Sequence, residues 1–167
     1  MRHRILFCLS AFGAAGILLA GPEVKSADID YATVVLGVDV ARPADAVWKK
    51  VGGFCDIGTV LKIKCAYVSG NGDLGTVRRL AGRINVDEVM VAQTAHSYTY
   101  TQPNTKNLYH GTVAVESTGP DSSKLMYSIF YDQSALKTDE DKAKSRDRYK
   151  AVFTGALNTM KKMAEGG

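Results

Sequence analysis

Residues 75–100 read GTVRRLAGRINVDEVMVAQTAHSYTY. The run is rich in β-branched and aromatic residues and reads as three β-strands in succession. Residues two apart share one face of a strand. Arg78 therefore lies with Thr76 and Leu80, Glu88 with Val86 and Met90, and Tyr98 with Tyr100. A sheet that buries one face carries an arginine and a glutamate in these runs for one of two reasons. Either the charges point at water, or they point into a cavity.

Outward from this stretch, the rest of the chain supplies a recognisable order. Residues 32–41, ATVVLGVDVA, form a β-branched run that stops at Arg42-Pro43. Residues 43–54, PADAVWKKVGGF, read as a short helix. Pro43 stands at its start, Val47, Trp48 and Val51 share a face, and Gly52-Gly53 ends it. Residues 55–61, CDIGTVL, are a second short helix or a loop. Strand-like runs follow at 64–82 (strand, Gly-Asn-Gly-Asp turn, strand), 83–95, 96–102, 108–118 and 123–133. From about Thr138 to Ala164 the period becomes helical, with Tyr149, Val152, Phe153, Ala156, Leu157, Met160 and Met163 at three-four spacing. Short turns between successive strands imply an antiparallel meander, and the C-terminal helix is the one element long enough to cover it. The fold class is α+β.

The first residues read as a leader. Arg2 and Arg4 precede an uncharged apolar run from Ile5 to Ala20, Gly21-Pro22 interrupts it, and small residues follow. The run falls short of the roughly 20 residues a spanning helix needs. Val24 and Ser26 suit the small positions before a cleavage site, so residues 1–26 are read as a signal peptide and 27–167 as a single domain. A periplasmic or secreted protein without stable membrane insertion is the expectation; an uncleaved anchor is the alternative. The sequence holds 21 basic and 17 acidic residues, and loss of Arg2, Arg4, Lys25 and Glu23 leaves 18 against 16. So small an excess argues against nucleic acid as a partner. Cys55 and Cys65 remain after cleavage. In an exported protein such a pair reads as a disulfide or as two buried thiols, and spacing alone does not decide. Neither His96 nor His110 has ligand spacing to the cysteines, so no metal site is expected, and no phosphate loop or haem motif points to a cofactor.

The order of elements and the residues filling it resemble the START-like SRPBCC superfamily, with the helix-grip fold of the birch-pollen allergens, and within it the bacterial polyketide cyclase/dehydrase-like subgroup. The resemblance is carried by residues 38–54 (VDVARPADAVWKKVGGF), 64–80 (KCAYVSGNGDLGTVRRL), 87–100 (DEVMVAQTAHSYTY), 107–116 (NLYHGTVAVE) and 155–163 (GALNTMKKM). It implies a curved antiparallel sheet of about seven strands wrapped round a long C-terminal helix, two short helices after the first strand, and an enclosed apolar cavity. In ligand-binding relatives the positions matching Arg78, Glu88, Tyr98 and Tyr109 line that cavity, and the helix presents a polar group at the place of Asn158. Leu80, Tyr100 and Tyr127 join them by parity or by place in the last strand. The resemblance thus turns the charges inward.

Two arrangements of those charges remain open. Arg78 and Glu88 either pair with each other and fix strand register, or anchor a ligand in a wet cavity. The function implied is an exported binding or carrier protein for a small apolar ligand. The alternative is a cyclase or dehydratase with Glu88 as base and Tyr109 or Arg78 steadying an enolate. No Ser-His-Asp set is present. Against the plant abscisic acid receptors, remoter relatives, Thr59 stands near their ligand-gripping lysine, and the loop AGRIN (81–85) is too short for their gate.

Overall fold

The computed structural model describes residues 29–166. The elements run β1 (Tyr31–Val40), α1 (Ala44–Val51), α2 (Asp56–Leu61), β2 (Lys64–Ser69), β3 (Val77–Ala81), β4 (Asn85–Thr94), β5 (Ser97–Thr101), β6 (His110–Gly119), β7 (Ser122–Asp132) and α3 (Asp139–Glu165). The leader read over residues 1–26 lies outside the described residues.

The strands form one antiparallel sheet in the order β1-β7-β6-β5-β4-β3-β2. Each neighbour from β2 to β7 follows in sequence, as short turns require, and β1 closes against β7. Register shifts between Tyr67 and Ser69, Met90 and Ala92, and Ser117 and Gly119 bend the strands and let the sheet curve. The inner face buries Ala32, Val34, Leu80, Met90, Tyr98, Tyr100, Val113, Leu125, Tyr127 and Ile129. This is the helix-grip fold.

The helix inside the grip is punctuated at both ends. The Thr138 hydroxyl caps α3 by accepting from the Asp141 amide at 3.1 Å, and Asp139, Glu140 and Asp141 fill the first turn, where the helix dipole favours anions. Gly166 ends it in the left-handed region, at φ 93°. Phe153, Ala156, Leu157, Met160 and Ala164 form the buried stripe. Val152, grouped with that stripe by spacing, is 46% exposed because it faces an opening rather than the core. The helix packs mainly on β1, β7 and the two short helices, which leaves a gap towards the other half of the sheet.

Cys55 and Cys65 are joined as a disulfide with Cα atoms 5.6 Å apart, tying the start of α2 to β2. Across this junction the Ile63 amide donates to the Gly58 carbonyl at 2.9 Å. A Cβ on Gly58 would stand 2.9 Å from that of Cys65, so the absent side chain permits the close approach.

Candidate functional site

Arg78 on β3 and Glu88 on β4 are register partners, and both side chains are buried. Arg78 Nε donates to Glu88 Oε2 at 2.8 Å. Nη2 contacts the same oxygen at 2.6 Å without hydrogen-bond geometry. Nη1 donates to the Phe54 carbonyl, which lies between α1 and α2. The guanidinium carbon stands 4.0 Å from the Phe54 ring centroid, 4.7 Å from that of Tyr100 and 5.8 Å from that of Tyr98. Gln102, just past the end of β5, donates from Nε2 to Glu88 Oε1 at 2.8 Å, so both carboxylate oxygens have protein partners. Burial disfavours charge on Arg78, yet the guanidinium pKa stays above its ordinary value; near neutrality, where Tyr98 is a neutral phenol, the Glu88 carboxylate is the charge that offsets burial.

Beside this pair lies a group of phenols. Tyr100 and Tyr127 hydroxyls meet at 2.7 Å, and those of Tyr100 and Tyr109 at 3.4 Å. Gly111 faces Tyr100 across β5 and β6, and a Cβ there would fall 2.4 Å from the ring, so the glycine makes room for the phenol. Burial raises the pKa of Tyr98, Tyr100, Tyr109 and Tyr127 above the ordinary phenol range. Each stays neutral and able to donate at physiological pH.

The gap between α3 and the sheet is a half-open cleft of about 540 Å³. Its floor is Glu88, Tyr100, Tyr109 and Phe153, all buried, and its exposed rim includes Ile84, Asn85, Arg148 and Val152. Val86, Gln102, Thr105 and Tyr149 line the walls.

The expected site residues therefore divide. Glu88, Tyr100 and Tyr109 reach the cleft. Arg78, Tyr98 and Tyr127 are buried and do not line it. Arg78 is engaged by Glu88 and Phe54, as a charge removed from water must be; Tyr98 packs against Phe54 with centroids 5.2 Å apart, and Tyr127 against Phe153 at 4.3 Å. Leu80 belongs to the core as well. Asn158 is exposed on α3, one position beyond buried Leu157 and so roughly 100° round the helix from it. It does not line the cleft. Missed were Gln102, Arg148, Tyr149 and Phe153 as lining residues. Tyr149 and Phe153 carried a signal in the helical spacing; Arg148 sat in a run of alternating charges that reads as a solvated face. Among the described residues no three His, Cys, Asp or Glu side chains are grouped as metal ligands.

The sequence matches the family described as polyketide cyclase / dehydrase and lipid transport over residues 31–165. The Zhui aromatase/cyclase from Streptomyces sp. R1128 is similar in structure, with a TM-score of 0.65 at 20% identity over 81% of this chain and 94% of that one. Norcoclaurine synthase from Thalictrum flavum, in complex with dopamine and hydroxybenzaldehyde, gives 0.64 at 16% identity over 92% and 98%. The protein XoxI from Bacillus cereus gives 0.64 at 18% identity over 78% and 94%. At such identities the likeness concerns the fold. A search of curated proteins finds no match. The inward-facing charged pair, the phenols and the cleft under the long helix are thus carried on the family's fold, and the chain belongs to the polyketide cyclase/dehydrase and lipid transport family of the SRPBCC superfamily.

Proposed function

We propose that the protein is an exported carrier holding one small hydrophobic molecule in the cleft between α3 and the sheet. The observation that carries this reading is the cleft itself. About 540 Å³ suits a small organic ligand, and aromatic faces form most of its floor. The floor's one charged group, Glu88, is already neutralised by Arg78. The family's description includes lipid transport, and a structural neighbour holds two small aromatic molecules. Export draws support from the leader-like residues 1–26 and from the Cys55–Cys65 disulfide, a bond typical of oxidising compartments.

Acid–base turnover is the weaker reading. Glu88 accepts from Arg78 on one oxygen and from Gln102 on the other, so its carboxylate is committed to the protein. The phenols bond to each other rather than standing ready for a substrate.

A cleft-filling variant tests carriage. Val86 lines the wall and packs against the core from a half-buried position. Val86→Trp should occupy the ligand's space and abolish the melting shift that apolar molecules give the wild type. An undiminished shift in a folded Val86→Trp protein would contradict binding in this cleft.

A further inference from the structure

Floor and rim of the cleft differ in charge, and the difference orients a ligand. On the floor the only ionised group is the Glu88 carboxylate. Arg78, its counter-ion, is fully enclosed and does not line the space. An acid entering head first would give up its water for the buried Glu88–Arg78 pair and the Tyr100 and Tyr109 phenols, with no free cation on the floor to compensate, which is costly.

The rim offers the opposite. Arg148 lines the cleft, is exposed, and pairs with no carboxylate among the described residues. Its guanidinium carbon lies 5.7 Å from the ring centroid of Tyr149, itself a wall residue, so the charge is held beside the opening. A neighbouring hollow shares Leu61, Ile84 and Val152 with the cleft and adds Arg83. Arg83 Nη2 donates to the Leu61 carbonyl at 2.8 Å, one of the five donors a guanidinium owns. Of the neighbouring carboxylates, Asp87 pairs with Arg79, Asp147 with Lys150 and Glu140 with Lys144, while Asp141, which shares a hollow with Arg148, accepts from the Thr138 hydroxyl. Exposed Ile84 and Val152 line both the cleft and the hollow that holds Arg83.

We propose that the cleft takes an amphiphile with a single acid head, carboxylate or phosphate, its apolar part on the aromatic floor and its head at the rim against Arg148, with Arg83 as a second cation. This rests on the carrier reading and names its ligand class. A guanidinium matches either acid bidentately, which a neutral or cationic head cannot exploit.

Isothermal titration at low salt of decanoate, decyl phosphate, decan-1-ol and decylamine separates the possibilities. The wild type should bind at least one acid about fivefold to tenfold more tightly than the alcohol, as an exposed or half-exposed charge-assisted contact allows, and the amine most weakly. The two acids tell a carboxylate from a phosphate head. Arg148→Gln should bring the acids down to the alcohol's affinity and leave the alcohol unchanged; Arg148→Lys should keep part of the preference. Equal affinity for alcohol and acids, or an acid preference that survives in Arg148→Gln and in the double variant with Arg83→Gln, overturns the proposal while leaving carriage intact. No binding of any of the four overturns both.

Discussion

Arg78 and Glu88 stand opposite each other in register on β3 and β4, and the Nε of one donates to Oε2 of the other at 2.8 Å in the protein's interior. Shifting β3 by one residue against β4 would turn Arg78 to the face opposite Glu88. The pair thus locks the register of β3 on β4, next to the β2 edge, and through the Phe54 carbonyl it also ties the sheet to the segment between the short helices. Removing either partner leaves a buried, uncompensated charge. Arg78→Met or Glu88→Gln alone should cost roughly 3–5 kcal/mol, and the double variant should recover most of that loss. Denaturant melting of the four proteins gives the coupling directly; additive costs would contradict mutual compensation of the two charges.

The phenols make the protein sensitive to alkali. Tyr98, Tyr100, Tyr109 and Tyr127 have raised pKa values in the folded state because of burial. Their stabilising contribution is complete below the unfolded phenol value of about 10 and is lost as pH rises above it. Each phenol protonated only in the folded state removes about 1.4 kcal/mol per pH unit, so four together remove roughly 5. Stability should collapse steeply above about pH 10, and the phenolate absorbance of these four should appear with unfolding. Their titration within a still-folded protein would refute the burial argument.

Gly111 is required by Tyr100. Gly111→Ala would drive a methyl group into the ring, displacing a hydroxyl bonded to Tyr127 at 2.7 Å. Overpacking of this kind costs roughly 1–3 kcal/mol. The companion Gly111→Ala/Tyr100→Leu variant, with no ring at that place, should lose less through Gly111→Ala than the wild type does. Equal losses in both backgrounds would place the strain elsewhere.

The disulfide closes a short loop between Cys55 and Cys65. Restricting the unfolded chain over that span contributes about 3 kcal/mol in the loop-entropy picture. Reduction, or replacement of both cysteines by serine, should lower the melting temperature without altering the sheet. Two titratable thiols in the unfolded, unreduced protein would show that the bond is absent.

Much of this arrangement was legible in residues two apart. Alternation from Thr76 to Tyr100 assigns Arg78, Leu80, Glu88, Met90, Tyr98 and Tyr100 to one face, and all six are buried. The three-four spacing from Tyr149 to Met163 marks the gripped helix, and Thr138 falls at its cap. Parity does not tell how deep a side chain lies on its face, which is why Arg78 and Tyr127 share a face with Tyr100 yet miss the cleft. Nor does it reveal partners brought from a distance, such as the Phe54 carbonyl or Gln102 just past a strand end. Asn158 misses the cleft for a different reason. A one-residue offset on a helix turns a side chain through roughly 100°, so alignment by resemblance is unforgiving there.

Carriage of one small apolar molecule is tested most directly by native mass spectrometry of the protein taken, under mild conditions, from the cells that make it. The expected result is a chain beginning near Ala27, released by osmotic shock, with a population heavier by one small molecule; that excess should vanish in Val86→Trp. Only unliganded protein, still unshifted after incubation with decanoate or decan-1-ol, would contradict it.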